Sequence, residues 1–162
     1  MRIVSTLVVL LFSAIGQAQG PPCPFSGLVK VEYGPGGPPF DYPKFELTLD
    51  VNTCELGTKF VPDPNDFIGN YYLTGNFLIY GDFPLTPGLP LDAPFFGFEL
   101  LVLPLDILGP FAGGSATLPV PPDPLLLGRT FYFQDIGRYL YTLSLPPGID
   151  YILTYGIAAT IV

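Results

Sequence analysis

Residues 118–134 read LPVPPDPLLLGRTFYFQ and predict the unit from which this chain is built. They combine the end of one apolar strand, a proline-rich turn and the start of an aromatic strand. In the turn, Asp123 is placed to cap a single helical turn, Pro124 suits its first position, and Gly128 suits a left-handed terminator. The three leucines between Pro124 and Gly128 are expected to tuck inward. The stretch therefore predicts a strand, a one-turn helix and a second strand.

A weaker copy of the same design lies upstream, at Phe60–Leu73. Residues 58–73 read TKFVPDPNDFIGNYYL and share Val-Pro, then Asp-Pro, then apolar residues ending at a Gly, then an aromatic strand. Two explanations are open. The repeat marks connections that swap sheets in two halves of a sandwich, or it reflects convergence on a favourable turn.

Two strands with one wet face are predicted near the beginning, because apolar and polar residues alternate at 29–33 and 45–51. The GPGGPP segment between them is a loop. If the strands pair as an antiparallel hairpin, Cys23 and Cys54 fall nearly opposite each other at its open end. We therefore expect a Cys23–Cys54 disulfide that closes this hairpin.

The rest of the chain also has the signature of short strands and Pro/Gly turns. We expect a loop at 81–94, a central strand at 98–103 covered on both faces, a tight hairpin loop at 135–138 and a last strand at 151–162. The fold class predicted is all-β, a two-sheet antiparallel β-sandwich, jelly-roll or Ig-like, with about 8–9 strands and one-turn helices only.

The first residues have the features of an export signal. Arg2 precedes an apolar run at 3–15, and Gly16-Gln17-Ala18 matches a small-x-small cleavage site. The run is shorter than the ~20 residues that a membrane span needs. We therefore expect residues 1–18 to be a signal peptide and residues 19–162 to be a single β-sandwich domain. It would be secreted, extracellular or at the cell surface, with no membrane insertion after signal removal.

Charge limits the partners. The chain has 6 basic and 14 acidic residues, a formal net charge of −8. Such a surface repels phosphate backbones and anionic membranes, so nucleic acid is excluded as a partner. The partners that remain are an extracellular protein or a glycan, and the sequence specifies no oligomeric state.

Catalytic chemistry is restricted by composition. The chain has neither His nor Trp, which removes nucleophile–His triads and His-containing metal sites. We assign no catalytic residue, no metal ligand and no cofactor, and we do not expect an enzyme. The surviving alternative is an acid-pair glycoside hydrolase, which needs only two facing carboxylates. Its candidates are Glu46, Glu55, Glu99, Asp106 and Asp135.

Two other ligand chemistries have candidates in the loops and strands. Asp63, Asn65 and Asp66, or Asp82 with Asp92, are oxygen donors for calcium, although Asp in turns ordinarily bonds its own backbone. Exposed tyrosines are a platform for a sugar or a protein, although most strand aromatics belong to cores. The tyrosines proposed for that platform are Tyr71, Tyr72, Tyr139 and Tyr141.

The second unit and its sequel resemble a group of secreted bacterial modules, of the planctomycete and myxobacterial type. The segments that carry the resemblance are GGSATLPVP (113–121), DPLLLG (123–128) and TFYFQ (130–134), with LPLD (89–92) and TYGIAATI (154–161). They are similar to the pattern G-x-A-x-L-P-x-P-x-D-P-x-L-L-G-x-x-F-Y-x-Q. The group often has a Cys where this chain has FFG (95–97), and a Cys23/Cys54 pair is not one of its features. The resemblance implies secretion and a β-sandwich, often as the terminal module of a larger surface protein, and no established activity.

The sequence therefore predicts a secreted, non-catalytic structural or adhesion module whose ligand-binding residues are unknown. The alternatives are a carbohydrate-binding module that uses exposed Tyr and, more distantly, the acid-pair hydrolase.

Overall fold

The structure, a computed structural model, describes residues 22–34, 43–61, 71–91, 98–142 and 148–162. In these ranges the chain forms ten β-strands and two short 3₁₀ turns, Ala112–Gly114 and Pro124–Leu126. No helix within them has the length and apolar character that crossing a membrane requires. The strands are β1 (Leu28–Tyr33), β2 (Lys44–Asp50), β3 (Glu55–Val61), β4 (Tyr71–Gly81), β5 (Phe83–Pro90), β6 (Glu99–Leu103), β7 (Asp106–Phe111), β8 (Ser115–Pro119), β9 (Thr130–Tyr141) and β10 (Gly148–Ile161).

Five strands form a central antiparallel sheet in the order β1-β10-β9-β4-β7. Its longest strands, β9 and β10, pair from Gly148↔Tyr141 to Thr160↔Thr130, with one bulge between Leu153 and Gly156. Because successive side chains of a strand point to opposite faces, apolar residues on both faces of these strands require a cover on each side.

A three-stranded sheet, β2-β3-β8, covers one face of the central sheet. Leu47 and Leu56 from this sheet form a buried cluster with Leu78, Phe133 and Ile157 from the central sheet. We call this side of the central sheet the inner side.

The β5-β6 hairpin covers the opposite face, which we call the hairpin side. Val102 from β6 packs there with Ile79, Ile136 and Leu153. Leu78 and Ile79 are adjacent in β4, so the two clusters lie on opposite faces of the same sheet.

Gln134 attaches the hairpin to the central sheet. Its side chain is fully buried. Its Nε2 donates to the carbonyl oxygens of Glu99 and Thr154, each at 2.9 Å, and its Oε1 accepts from the Leu101 N–H at 2.9 Å. One side chain thus satisfies backbone groups of β6 that a further strand would otherwise have to satisfy.

The predicted fold class is confirmed: the described chain is an antiparallel all-β sandwich with one-turn helices only. The described residues form ten strands rather than about 8–9: the segment 81–94, predicted as a loop, contains β5, and β7 was not expected. The prolines of β5 are tolerated because, among the described strands, it pairs with β6 alone, at its two ends, with an irregularity between Pro84 and Leu89.

Two further assignments are corrected. The segment 135–138 is not a hairpin loop, because β9 runs through it without interruption. A methyl group at Gly137 would lie 2.7 Å from Cζ of Phe60, so this glycine makes room for the Phe60 ring and does not form a turn. The segment 98–103 is not central: of the strands that the structure describes, β6 pairs with β5 alone, although Leu101 and Val102 are both buried.

The two strand–turn–strand units are both connections between sheets. The first leads from β3 in the three-stranded sheet to β4 in the central sheet, and the second leads from β8 to β9. β3 pairs with β8 and β4 pairs with β9, each antiparallel, so the units lie side by side in opposite directions. This is the sheet-swapping arrangement that the repeat suggested. The turn of the first unit, at 62–70, lies outside the described residues.

The predicted hairpin between the strands at 29–33 and 45–51 is wrong. β1 pairs with β10, and β2 pairs with β3. β1 and β2 are edge strands of different sheets, and Lys30 Nζ of β1 reaches across to the carbonyl oxygen of Leu47 at 2.8 Å. The predicted alternation of buried and exposed residues holds for β2, whose Phe45 and Leu47 are buried, but not for β1, where Val29 and Val31 are 55% and 60% exposed. Alternation also does not say whether neighbours in sequence pair or face each other.

The Cys23–Cys54 disulfide is confirmed, with the two Cα atoms 5.1 Å apart. Since β1 and β2 belong to different sheets, the bond does not close a hairpin. It joins the segment before β1 to the β2–β3 turn and so links the two layers of the inner side covalently.

Candidate functional site

A cavity of about 340 Å³ lies between the two sheets of the inner side. It is half-open to solvent and extends from the core to the turn after β8. Both sheets contribute walls, so the cavity exists only when they are packed together. Its lining residues are Leu28, Leu49, Leu56, Leu78, Tyr80, Leu108, Leu118, Pro119, Val120, Pro121, Leu126, Phe131, Phe133 and Ile161.

Half of this lining comes from the stretch 118–134. The end of β8, the turn and the start of β9 form one wall of the cavity. The turn has the predicted chemistry: Asp123 Oδ1 accepts from the Leu125 N–H at 2.9 Å, Pro124 begins the 3₁₀ turn, and Gly128 has φ +74°.

The three leucines of the turn do not all tuck inward as predicted. Leu126 lines the cavity, while 80% of Leu125 and 46% of Leu127 are exposed. A single 3₁₀ turn points consecutive side chains in different directions, so only one of three can enter the sandwich. The cavity is therefore bordered by apolar side chains that face the solvent.

The chemistry of the cavity is apolar. Its described lining contains no charged and no amide side chain, and the Tyr80 phenol is the one side-chain polar group among those residues. Such a lining recognises shape and apolar surface, because it offers neither ionic partners nor a group for acid–base or nucleophilic chemistry.

The disulfide lies at the end of the cavity. Cys54 forms a buried cluster with Phe25 and Ile161. Val120, which lines the cavity, packs on this cluster and donates its N–H to the carbonyl oxygen of Cys54 at 2.8 Å. The bond therefore holds the β2–β3 turn against the wall formed by the stretch 118–134.

A buried polar group lies farther along the inner side. Asn76 Nδ2 donates to both carboxyl oxygens of Asp135, at 3.0 and 2.7 Å, and the Asp135 N–H donates to Thr154 Oγ1 at 2.9 Å. Asp135 is fully buried, and burial raises its pKa to about 7 although the hydrogen bond from Asn76 acts in the opposite direction. Among the described residues, Asn76 Oδ1 and Thr58 Oγ1 find no hydrogen-bond partner.

The five carboxylates considered for hydrolysis lie on five different strands. Glu46 and Asp106 are exposed on β2 and β7, and Glu55 on β3 accepts from Thr53 Oγ1. Asp135 is enclosed on the inner side, whereas Glu99 lies on the hairpin side. The central sheet therefore separates Asp135 from Glu99.

The loop candidates for calcium lie largely outside the described residues, which is the case for Asp63, Asn65, Asp66 and Asp92. Asp82 is described and lies 3.9 Å from Arg129 NH2 in an ion pair. In the part of the chain that the structure covers, no three His, Cys, Asp or Glu residues form a group able to hold a metal ion.

The tyrosine platform is corrected in one place. Tyr139 is buried, at 2% exposure, with its ring edge-to-face on Phe60 at 6.0 Å. Tyr72 is 57% exposed and Tyr141 is half-buried, while the side chain of Tyr71 lies outside the described residues. Tyr139 and Tyr141 therefore do not form an exposed pair.

Comparisons with protein-family models, with curated proteins and with solved structures find no match. The resemblance of residues 113–134 to secreted bacterial modules stays a prediction. What the protein binds is therefore inferred from the geometry of its cavities.

Sequence reasoning missed the inner cavity. Each lining residue was assigned separately to a core or a turn. Such residues can equally form the wall of a cavity, so these assignments gave no sign of it. A usable signal was the excess of apolar residues in the turn at 124–127, where a solvent-facing turn ordinarily carries polar side chains.

Proposed function

We propose that this chain is an exported, non-catalytic binding domain that holds a small apolar molecule between the sheets of its inner side. The observation that carries the proposal is the 340 Å³ cavity with its apolar lining. Ligand sites of proteins are concave, mostly apolar and about 300–1,000 Å³ in volume. The cavity meets each of these criteria.

The volume indicates the size of the ligand. An apolar cavity of about 150 Å³ accommodates benzene. A cavity of about 340 Å³ is more than twice as large and suits two or three fused rings or a short alkyl chain. A neutral ligand is favoured because the described lining supplies no counter-charge for an ion of either sign.

Two features support export. The apolar run at 3–15 has the form of a signal sequence, and the Cys23–Cys54 bond is of the kind that persists in oxidising compartments. The sequence predicts a non-catalytic structural or adhesion role. We propose a more specific non-catalytic role, the binding of a small apolar ligand.

The test is a fluorescence titration with the neutral apolar probe N-phenyl-1-naphthylamine. Leu126→Trp enlarges the side chain that enters the cavity, whereas Leu125→Trp makes the same change on the neighbouring side chain that faces solvent. We expect saturable binding to the wild type and to Leu125→Trp, and at least tenfold weaker binding to Leu126→Trp. Thermal unfolding checks that both variants are folded.

The proposal is abandoned if the wild type shows no saturable binding. It is equally contradicted if the two tryptophan variants bind the probe alike, because the probe would then occupy an exposed patch near the turn rather than the cavity.

A further inference from the structure

A second cavity, of about 460 Å³, lies on the hairpin side of the central sheet. It is bounded by β5, β6 and the end of β1. The central sheet separates it from the apolar cavity, so the two can be occupied independently. Its lining residues are Tyr33, Gly34, Leu85, Thr86, Pro87, Gly88, Glu99 and Leu101.

Glu99 is the charged residue of this described lining. Its carboxylate is seated against Gly88, where an added methyl group would lie 2.5 Å from Oε2. The backbone of Glu99 is held in place, because its carbonyl oxygen accepts from Gln134 Nε2 at 2.9 Å. Among the described residues, the ion pair found joins Arg129 to Asp82, and no Lys or Arg forms one with Glu99.

The Tyr33 ring is an aromatic wall held in place by its neighbours. Its hydroxyl donates to the carbonyl oxygen of Leu101 at 3.1 Å, and its ring meets Tyr132 edge-to-face at 5.9 Å. A methyl group at Gly156 would lie 2.4 Å from the ring, so only a glycine at this position leaves room for Tyr33. Burial raises the pKa of the Tyr33 phenol, which keeps the ring neutral.

A carboxylate, an aromatic ring held in place by its neighbours and aliphatic walls together match one ligand chemistry. An ammonium group gains from the carboxylate and from the face of an aromatic ring, and an apolar body gains from Leu85, Pro87 and Leu101. The net charge of −8 draws cations toward the surface as a whole. We infer that the second cavity binds an organic cation, an amine or quaternary ammonium with an apolar substituent.

The test compares benzyltrimethylammonium with neopentylbenzene, its neutral analogue of the same shape, in NMR titrations of the full chain. We expect the cation to bind at least tenfold more tightly than the neutral analogue. Glu99→Gln should weaken binding of the cation about tenfold and remove the preference. Glu55→Gln removes the same charge from a half-buried carboxylate on β3, outside the cavity, and should leave the affinity within twofold.

A second variant tests the geometry rather than the charge. Gly88→Ala keeps the net charge, but its methyl group would lie 2.5 Å from Glu99 Oε2 and 2.8 Å from Leu101 Cδ2. Both cavity residues must shift, so we expect a threefold or greater loss of affinity for the cation. Equal binding of cation and neutral analogue overturns the inference. So does an equal loss in Glu99→Gln and Glu55→Gln, which would indicate attraction to the acidic surface alone. Absence of cation binding also overturns it, and leaves the apolar cavity of the inner side untouched.

Discussion

The two sides of the central sheet are held in different ways. On the inner side, a second sheet is joined by a disulfide and an apolar cluster, and it forms one wall of a half-open apolar cavity. On the hairpin side, two short strands are attached by a smaller cluster and by the side chain of Gln134, and they border a cavity with a carboxylate.

Adjacent residues of β9 show the difference most clearly. Gln134 and Asp135 are both fully buried, and they point to opposite faces. Gln134 completes three hydrogen bonds with backbone groups, so its burial secures the hairpin. Asp135 is a carboxyl group that accepts from the amide of Asn76 and from the backbone of Ile136, and burial still raises its pKa. β9 thus carries a fully hydrogen-bonded amide on one face and, on the other, a carboxyl group whose burial disfavours its ionised form.

The largest expected effect concerns Asp135. Its folded-state pKa of about 7 lies above its ordinary value of 3.8, so the folded protein retains a proton that the unfolded chain has lost. The contribution of Asp135 to stability is therefore greatest below about pH 4 and falls as the pH rises to about 8, by up to ~4 kcal/mol. Asp135→Asn should remove this slope and be more stable than the wild type at pH 8.

Urea unfolding of both proteins from pH 4 to pH 9 measures this contribution. The difference between wild type and variant isolates Asp135 from the other carboxylates. A difference that does not vary with pH contradicts the account of the buried carboxyl.

The second effect is loss of the disulfide. Closing the 31-residue separation contributes roughly 3–4 kcal/mol in the chain-entropy model, so Cys23→Ser should lower the free energy of unfolding by about that amount. Because the bond joins layers of the inner side, hydrogen exchange should accelerate in β2 and β3 and change little in β5 and β6. An unchanged melting temperature under reducing conditions would refute the bond.

The third effect compares the two apolar clusters through adjacent residues of β4. Leu78→Ala and Ile79→Ala should each cost about 3 kcal/mol, since both side chains are almost completely buried. Their effects on ligands should differ. Leu78 lines the apolar cavity, so its truncation should admit a larger apolar probe, whereas Ile79→Ala should leave the probe affinity unchanged. Matching changes in probe affinity would mean that the sheet does not separate the two sides.

The smallest effect concerns the cap of the turn. Asp123→Ala removes the acceptor for the Leu125 N–H and should cost about 1 kcal/mol. The same turn positions Leu126, so probe affinity should fall a few-fold. Asp106→Ala is the matched control, because Asp106 Oδ1 also accepts a backbone N–H, that of Ile107, but on β7. Equal effects of the two variants on probe affinity would mean that the capped turn does not position the cavity wall.

The sequence predicted local features best. The cap at Asp123 and the left-handed Gly128 depend on residue types at short spacing, and both are confirmed. The pairing of Cys23 with Cys54 is also confirmed, although the hairpin from which it was argued is wrong. The strand pairing of β1 was wrong because it depends on β10, which is more than 100 residues away along the chain. The path of β9 through Gly137 depends on contact with Phe60, which no local pattern encodes.

The cavities were the least predictable feature. The apolar cavity combines residues from Leu28 to Ile161, and each of them has an adequate explanation as core or turn. Glu99 was considered for hydrolysis because of its residue type. Its proximity to Tyr33 follows from the packing of the β5-β6 hairpin. This hairpin was not predicted, because the segment 81–94 was assigned to a loop.

The separation of two ligand chemistries by one sheet is most directly tested by methyl-resolved NMR with both probes on the same sample. We predict that N-phenyl-1-naphthylamine shifts the methyl signals of Leu118 and Leu126 and leaves those of Leu85 and Leu101 in place. Benzyltrimethylammonium should shift Leu85 and Leu101 and leave Leu118 and Leu126 in place, in either order of addition. Both probes perturbing the same set of methyl groups, or one probe displacing the other, would contradict the account.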